Sequence, residues 1–348
     1  SDYDGDGDQD LFVGVRLTPF RYGMPCKGYL LNNDGKGHFT DAGAKAGPGL
    51  ANLGMITDAS WLDYDSDGHP DLVITGEYMA IRIFHNENGV LRETTDAAGL
   101  TRTNGWWNRI QVADLNNDGY PDIIAGNHGL NSRFTASVKK PVTMYVGDFS
   151  GNGSTQQITS CFFGDTSYPM HLRHDLVAVL PALKKKYLKY ESYKTQQVTD
   201  IFTSEQLAAA TKLEAYTLES AVFLNNGKGG FEQKPLPITA QLSPVYGISV
   251  SDFNGDGKAD LAIAGNLYQA KPEVGIYDAS YGQVLLGDGK GNFTTVSSQQ
   301  SGMFVRGAMR DIIQLKAGKD DILIVAQNNG PVHTFRKRVV IEKITGKK

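Results

Sequence analysis

One acidic phrase occurs four times in this chain, and any fold it adopts must give each copy a cation or ample solvent. The copies are Asp2, Asp4, Asp6, Asp8 and Asp10 in SDYDGDGDQDLFVG; Asp63, Asp65, Asp67 and Asp71 in DYDSDGHPDLVITG; Asp114, Asn116, Asp118 and Asp122 in DLNNDGYPDIIAGN; and Asp252, Asn254, Asp256 and Asp260 in DFNGDGKADLAIAGN. Each obeys D-x-[DN]-x-D-G-x-x-D and runs straight into Leu or Ile. Crowded carboxylates disfavour a compact loop unless something cationic sits among them. Carboxylates and backbone carbonyls are hard oxygen donors of the kind that Ca2+ takes six to eight at a time. Side chains at positions 1, 3, 5 and 9 can converge on one ion, and the carbonyl of position 7 (Asp8, His69, Tyr120 or Lys258) can add a ligand. Gly at position 6 permits the sharp turn with positive φ. A lone copy is equally well read as a solvated turn, but four full copies argue for about four bound Ca2+ ions. A fifth copy, Asp148, Ser150, Asn152 and Gln156, keeps the frame and loses most of the charge, so its site is expected to be weak or empty.

The phrase is not that of a helix-loop-helix calcium site, which needs a bidentate Glu at position 12. Here position 12 is Val13, Ile74, Ala125 and Ile263. Short apolar, β-branched runs follow each loop (LFVG, LVITG, IIAG, LAIAG), and alternating runs precede several, so the loops join strand to strand. Position 2 is always apolar or aromatic (Tyr3, Tyr64, Leu115, Phe149, Phe253) and is expected to point into a core. Between the loops, residues 29–43, 84–99, 222–233 and 284–296 each read as strand, Gly/Asn turn, strand. Units of strand, loop, strand and hairpin begin near residues 2, 55, 106, 141, 246 and 303, the last without its acids. Four-stranded units of about 40 to 60 residues repeated along a chain predict an all-β fold, a β-propeller of six to seven four-stranded blades.

These units resemble FG-GAP/VCBS repeats, the blades of the integrin α-subunit propeller. They are closer still to the repeat proteins related to cartilage acidic protein that are abundant in Bacteroidetes. The resemblance covers nearly the whole chain and is carried by the four loops together with GWWNRIQVADLNNDGYPDIIAGNHGLNSRF and YLLNNDGKGHFTDAG. It implies Ca2+-stabilised blades, an extracytoplasmic setting and a role in binding or adhesion, with a protein or a glycan at the cell surface as partner. It fixes the fold better than the task.

A chain of 348 residues with 40% apolar content can bury one large core, and a single domain over 1–348 is expected. The formal charge of −4 offers no basic field for nucleic acid. Cys26 and Cys161 are too few for a disulfide framework and are expected to be free and buried. No apolar run is long enough to span a bilayer. Because the strand that should precede Asp2 is missing, the chain is expected to be a fragment or processed product of a longer secreted, periplasmic or outer-membrane-associated protein.

Over residues 165–220 the period turns helical, with Thr203 to Gln206 spaced as a capping box and Pro181 expected to divide the first helical stretch. Its Lys184, Lys185, Lys186, Lys189, Tyr187, Tyr190 and Tyr193 are either a docking surface or a solvated face with tyrosines packed beneath. The most conspicuous unrepeated polar-aromatic group is Trp106, Trp107, Asn127, His128, Asn131 and Arg133, which either meets a sugar or protein ligand or packs between blades and caps turns. Zinc-hydrolase and Ser-His-Asp signatures are absent from the sequence, so a non-catalytic module is expected, with a glycan-binding propeller or a glycan-active enzyme as alternatives.

Overall fold

The short β-branched runs become strands of two to nine residues, in a computed structural model that describes residues 1–318 and 320–337. Position 319, in the last unit, and positions 338–348 of the expected 1–348 domain lie outside the described residues. The first sheet holds β1 (Leu11–Gly14), β2 (Gly28–Asn33) and β3 (Phe39–Asp41), followed by a single turn, α1 (Gly43–Ala46). The second holds β4 (Met55–Leu62), β5 (Asp71–Met79), β6 (Arg82–Asn86) and β7 (Leu91–Glu93), with β8 (Gly105–Trp106) paired to β5. The third begins with β9 (Arg109–Ala113) and β10 (Asp122–Gly126).

There the chain departs. β11 (Val142–Gly147), β12 (Gln156–Phe163), β13 (Thr166–Pro169) and β14 (Thr211–Ala215) form a separate sheet, with α2 (Arg173–Val179), α3 (Leu183–Lys186), α4 (Val198–Ile201) and α5 (Ser204–Ala209) between its last two strands. The chain then returns to the third sheet with β15 (Ala221–Asn225) and β16 (Phe231–Pro235), where β15 pairs with β10. Order along the chain would give the hairpin at 222–233 to the unit starting near 141. The structure gives it to the third sheet instead, because the wholly buried β15 fills the place beside the wholly buried β10. β17 (Val245–Ser251), β18 (Asp260–Gly265), β19 (Gln283–Gly287) and β20 (Phe293–Val296) make the next sheet, and β21 (Met309–Ala317), β22 (Asp320–Gln327) and β23 (His333–Arg336) the last. The fold is all-β; the described residues form six antiparallel sheets of three to five strands with a few short helices.

The runs after the second, third and fourth loops do not alternate, because β5, β10 and β18 are buried on both faces, whereas β1, after the first loop, is a largely exposed edge strand. Ile123 packs toward the second sheet with Val73, Ile83 and Phe223, whereas its neighbour Ile124 packs toward the β17–β20 sheet with Val222, Ile263 and Leu285. Leu72 and Ile74 likewise face Leu30 of the first sheet, and Ala262 faces Ile312 and Val325 of the last. Sheets therefore stack face to face in chain order, with the inserted sheet excepted. Their first strands β1, β4, β9, β17 and β21 are successive neighbours. Arg109 on β9 lies 3.5 Å from Asp58 on β4 and 3.1 Å from Asp311 on β21, so three of these strands converge on one guanidinium.

The insertion has its own core of Phe149, Ile158, Leu176, Tyr187, Ile201 and Phe202. Of the tyrosines there, Tyr187 and Tyr193 are buried and Tyr190 is exposed, as are Lys184, Lys185, Lys186 and Lys189. Pro181 stands between α2 and α3, and Thr203 accepts from the Gln206 N–H as the sequence predicts. Cys26 and Cys161 are free and buried. Among the described residues no helix is long and apolar enough to cross a membrane.

Candidate functional site

The acidic loops fold alike because backbone N–H groups must be satisfied in a tight turn. The first carboxylate accepts from the glycine at position 6: Asp2 from Gly7 at 3.0 Å, Asp63 from Gly68 at 3.0 Å, Asp114 from Gly119 at 2.9 Å and Asp252 from Gly257 at 2.9 Å. These glycines have φ of 95°, 89°, 90° and 81°, as the spacing predicts. Position 4 is also left-handed, and in two loops a non-glycine, Ser66 or Asn117, occupies it. The last carboxylate of each loop is buried and ties the loop to a hairpin. Asp71 accepts from Tyr64 at 3.1 Å and Asn86 at 2.7 Å, and Asp122 from Leu115 and Asn225 at 2.8 and 2.7 Å. Asp10 accepts from Tyr3 and Asn33 at 3.2 and 2.9 Å, and Asp260 from Phe253 and Gly287 at 2.8 Å each. Position 2 is buried in Tyr3, Tyr64, Leu115 and Phe149, and half-buried in Phe253.

The donor set suits a hard divalent cation. Carboxylate oxygens of Asp2, Asp4 and Asp6 lie within 4.8 Å of one another, and so do those of Asp63, Asp65 and Asp67. Desolvation, then the charges of Asp6 and Asp10, raise the Asp4 carboxyl above its ordinary value. Desolvation pushes Asp71 and Asp122 up to about 6 despite their backbone donors. A cation in the loop would relieve all three. In the second loop the His85 imidazole joins the carboxylates, its Nδ1 3.1 Å from Asp71 and 3.4 Å from Asp65. In the third and fourth loops Asn116 and Asn254 replace one acid, and the Lys258 ammonium stands 3.4 Å from Asp256. His69, Tyr120 and Lys258 each donate their backbone N–H to the preceding acid, Asp67, Asp118 and Asp256, at 2.8 to 3.0 Å. The fifth loop closes on itself. Gln156 accepts from Phe149 at 2.8 Å and donates to Ser150 Oγ at 3.1 Å, and the one Ser150 hydroxyl proton serves Asp148 at 2.9 Å or Asn152 at 2.7 Å.

Sequence reasoning passed over one set of residues in these loops. Asn225 on β15 donates through Nδ2 to the Tyr64 carbonyl of the preceding sheet at 2.7 Å, and Asn86 does the same to Tyr3 at 2.7 Å. Each asparagine thus staples one sheet's hairpin to the previous sheet's acidic loop. The signal was the repeated Asn at the head of the hairpin phrases, which reads locally as turn chemistry.

The loops precede the second strands β5, β10 and β18, so the other ends of those strands lie on the opposite side. There Tyr22, Tyr78, Trp106, Phe134, Tyr246 and Tyr277 line a cavity of about 340 Å³. The unrepeated polar-aromatic group divides around it. Trp106, His128 and Arg133 line the cavity, while Trp107 is fully buried against Phe223 with its Nε1 donating to Thr103. Asn127 braces the wall, its Oδ1 accepting from the Trp106 and His128 N–H groups at 3.0 and 2.8 Å. Asn131 donates to the Leu242 carbonyl. Trp106 meets His128 at 5.1 Å and Phe134 at 4.8 Å edge to face, and burial depresses the His128 imidazole to about 4.

A model of the FG-GAP-like repeat matches residues 2–74, 63–125 and 207–263, and a model of the FG-GAP repeat matches 245–285. Neither reaches 126–206, the stretch that holds most of the inserted sheet and its helices. No curated protein matches the chain. Solved structures similar to it include an Agrocybe aegerita lectin described as recognising non-reducing terminal N-acetylglucosamine, 16% identical, with 94% of this chain and 80% of that one covered and a TM-score of 0.27. Another is the V. cholerae biofilm matrix protein Bap1, 10% identical, with 94% and 73% covered and a TM-score of 0.28.

Proposed function

Since the chain belongs to the FG-GAP repeat family, we propose that it is a calcium-stabilised, non-catalytic binding or adhesion module that works outside the cytoplasm. In this reading the five stacked sheets among the described residues are blades of a propeller, fewer than the six to seven expected because the unit starting near 141 forms the inserted sheet, and the four acidic loops each hold one Ca2+. The observation that carries the reading is that the four loops share one turn, and that in the first two the carboxylates gather closely enough to share an ion. Asp63, Asp65, Asp67 and Asp71 would hold the ion of the second loop, and the equivalent residues would hold those of the other three. Bound Ca2+ would supply charge neutralisation, and the chain's own residues would anchor it: the first and last carboxylates fix the turn, and the hairpin asparagines carry that order to the next sheet. The fifth loop, closed by Gln156, would need no ion.

Calorimetric titration of chelator-stripped protein with CaCl2 tests this. About four equivalents should bind, and the melting temperature should rise by mass action on the native state. An unchanged melt in EDTA counts against the metal assignment. Turnover of a glycoside or polysaccharide substrate would overturn the non-catalytic reading.

A further inference from the structure

The aromatic cavity opposite the acidic loops carries an inference that rests on the binding-module reading and gives it a ligand. Its volume, about 340 Å³, sits near the lower end of small-ligand sites, roughly 300–1,000 Å³, and suits one or two rings rather than a folded partner. Tyr22, Tyr78, Trp106, Phe134, Tyr246 and Tyr277 make much of its wall aromatic. Aromatic faces are matched by rings with a C–H surface and polar edges, and rings bearing several hydroxyls on an otherwise C–H surface are sugars.

The charges at the cavity narrow the class. Its one carboxylate, Glu77, is already held by Arg16 at 2.6 Å and by the Tyr22 hydroxyl at 2.7 Å. Lys271 is held by Asp175 at 2.8 Å. Arg133 is exposed, stacked 5.3 Å over Phe134, and has no carboxylate partner among the described residues. Desolvation first, then the Lys271 charge, hold the His171 imidazole below its ordinary value, with Asp175 opposing and Arg133 adding to the effect. We propose that this cavity binds a sugar residue carrying a carboxylate, its ring against the aromatic wall and its carboxylate on the Arg133 guanidinium, where planar donors match planar acceptors.

The test is calorimetry of the calcium-loaded protein with methyl β-D-glucuronide and methyl α-D-galacturonide, each against its neutral methyl hexoside. At least one uronide should bind about tenfold tighter than its neutral partner, as expected for a charge-assisted hydrogen bond. Arg133→Gln, an exposed change that leaves the fold intact, should erase that preference, and Trp106→Leu should weaken acidic and neutral sugars alike. Binding of neither uronide, or a preference that survives Arg133→Gln, overturns the inference. If that happens while four calcium equivalents still bind, only the cavity assignment falls; if calcium binding is absent too, the module reading falls with it.

Discussion

Asn225→Ala should be among the most damaging single changes away from the acidic loops. The side chain is almost fully buried and donates to the carbonyls of Tyr64 at 2.7 Å and Pro121 at 3.4 Å, while its Oδ1 accepts from Gly227 at 3.0 Å. Losing the strong bond to Tyr64 removes about 1 kcal/mol net and strands a buried carbonyl at roughly 1–3 kcal/mol. The expected loss is therefore about 3 kcal/mol. Asn33 occupies the equivalent place in the first hairpin, but its Nδ2 reaches only Gln9 O of its own sheet, in a solvent-exposed bond at 3.0 Å. Asn33→Ala should cost well under about 1 kcal/mol, the ordinary range for surface changes. Urea unfolding of both variants in excess calcium measures the difference. Equal losses would mean that the bond between sheets contributes no more than a turn bond, and the staple would be refuted.

Asp118→Ala should lower bound calcium by one equivalent in a titration and leave the other sites filled; unchanged stoichiometry would show the third loop misread. Gly119→Ala should destabilise by about 1–2 kcal/mol in thermal melts, because the added Cβ meets open space and the cost comes only from a φ of 90°. His128 gives a pH signature. Its folded value near 4 lies below the unfolded value near 6.5, so the stability it permits is full above about pH 6.5 and falls as pH drops toward 4, by up to roughly 3 kcal/mol. The stability difference between the native chain and His128→Gln, measured by urea unfolding from pH 8 to 4, should show that slope; a flat difference would refute the buried neutral imidazole.

The loops were legible because their chemistry is local: nine residues contain both the turn and the carboxylates that fill it. Gly68 and Asp63 announce each other at a fixed spacing. The pairing of β10 with β15 was not legible, since Ile123 and Phe223 are Cα partners across a hundred positions and nothing local signals it. The two tryptophans were singled out together, but the strand ends between them, and Trp107 enters the core while Trp106 lines the cavity. The cavity itself draws on Tyr22, Trp106, His171, Tyr246 and Tyr277, which no window of sequence holds at once.

The insertion leaves and re-enters the third sheet between residues that are direct neighbours, Ala125 and Ala221. Its two ends thus sit about 5 Å apart, the reach of a hairpin turn. A guest segment with coincident ends can be gained or lost in one genetic event without re-registering its host. This guest also supplies Met144, Thr159, Met170 and His171 to the cavity wall. A relative built without it would keep the acidic loops and the stack of sheets yet lose that part of the wall, so what such proteins hold on to can diverge while the scaffold stays put.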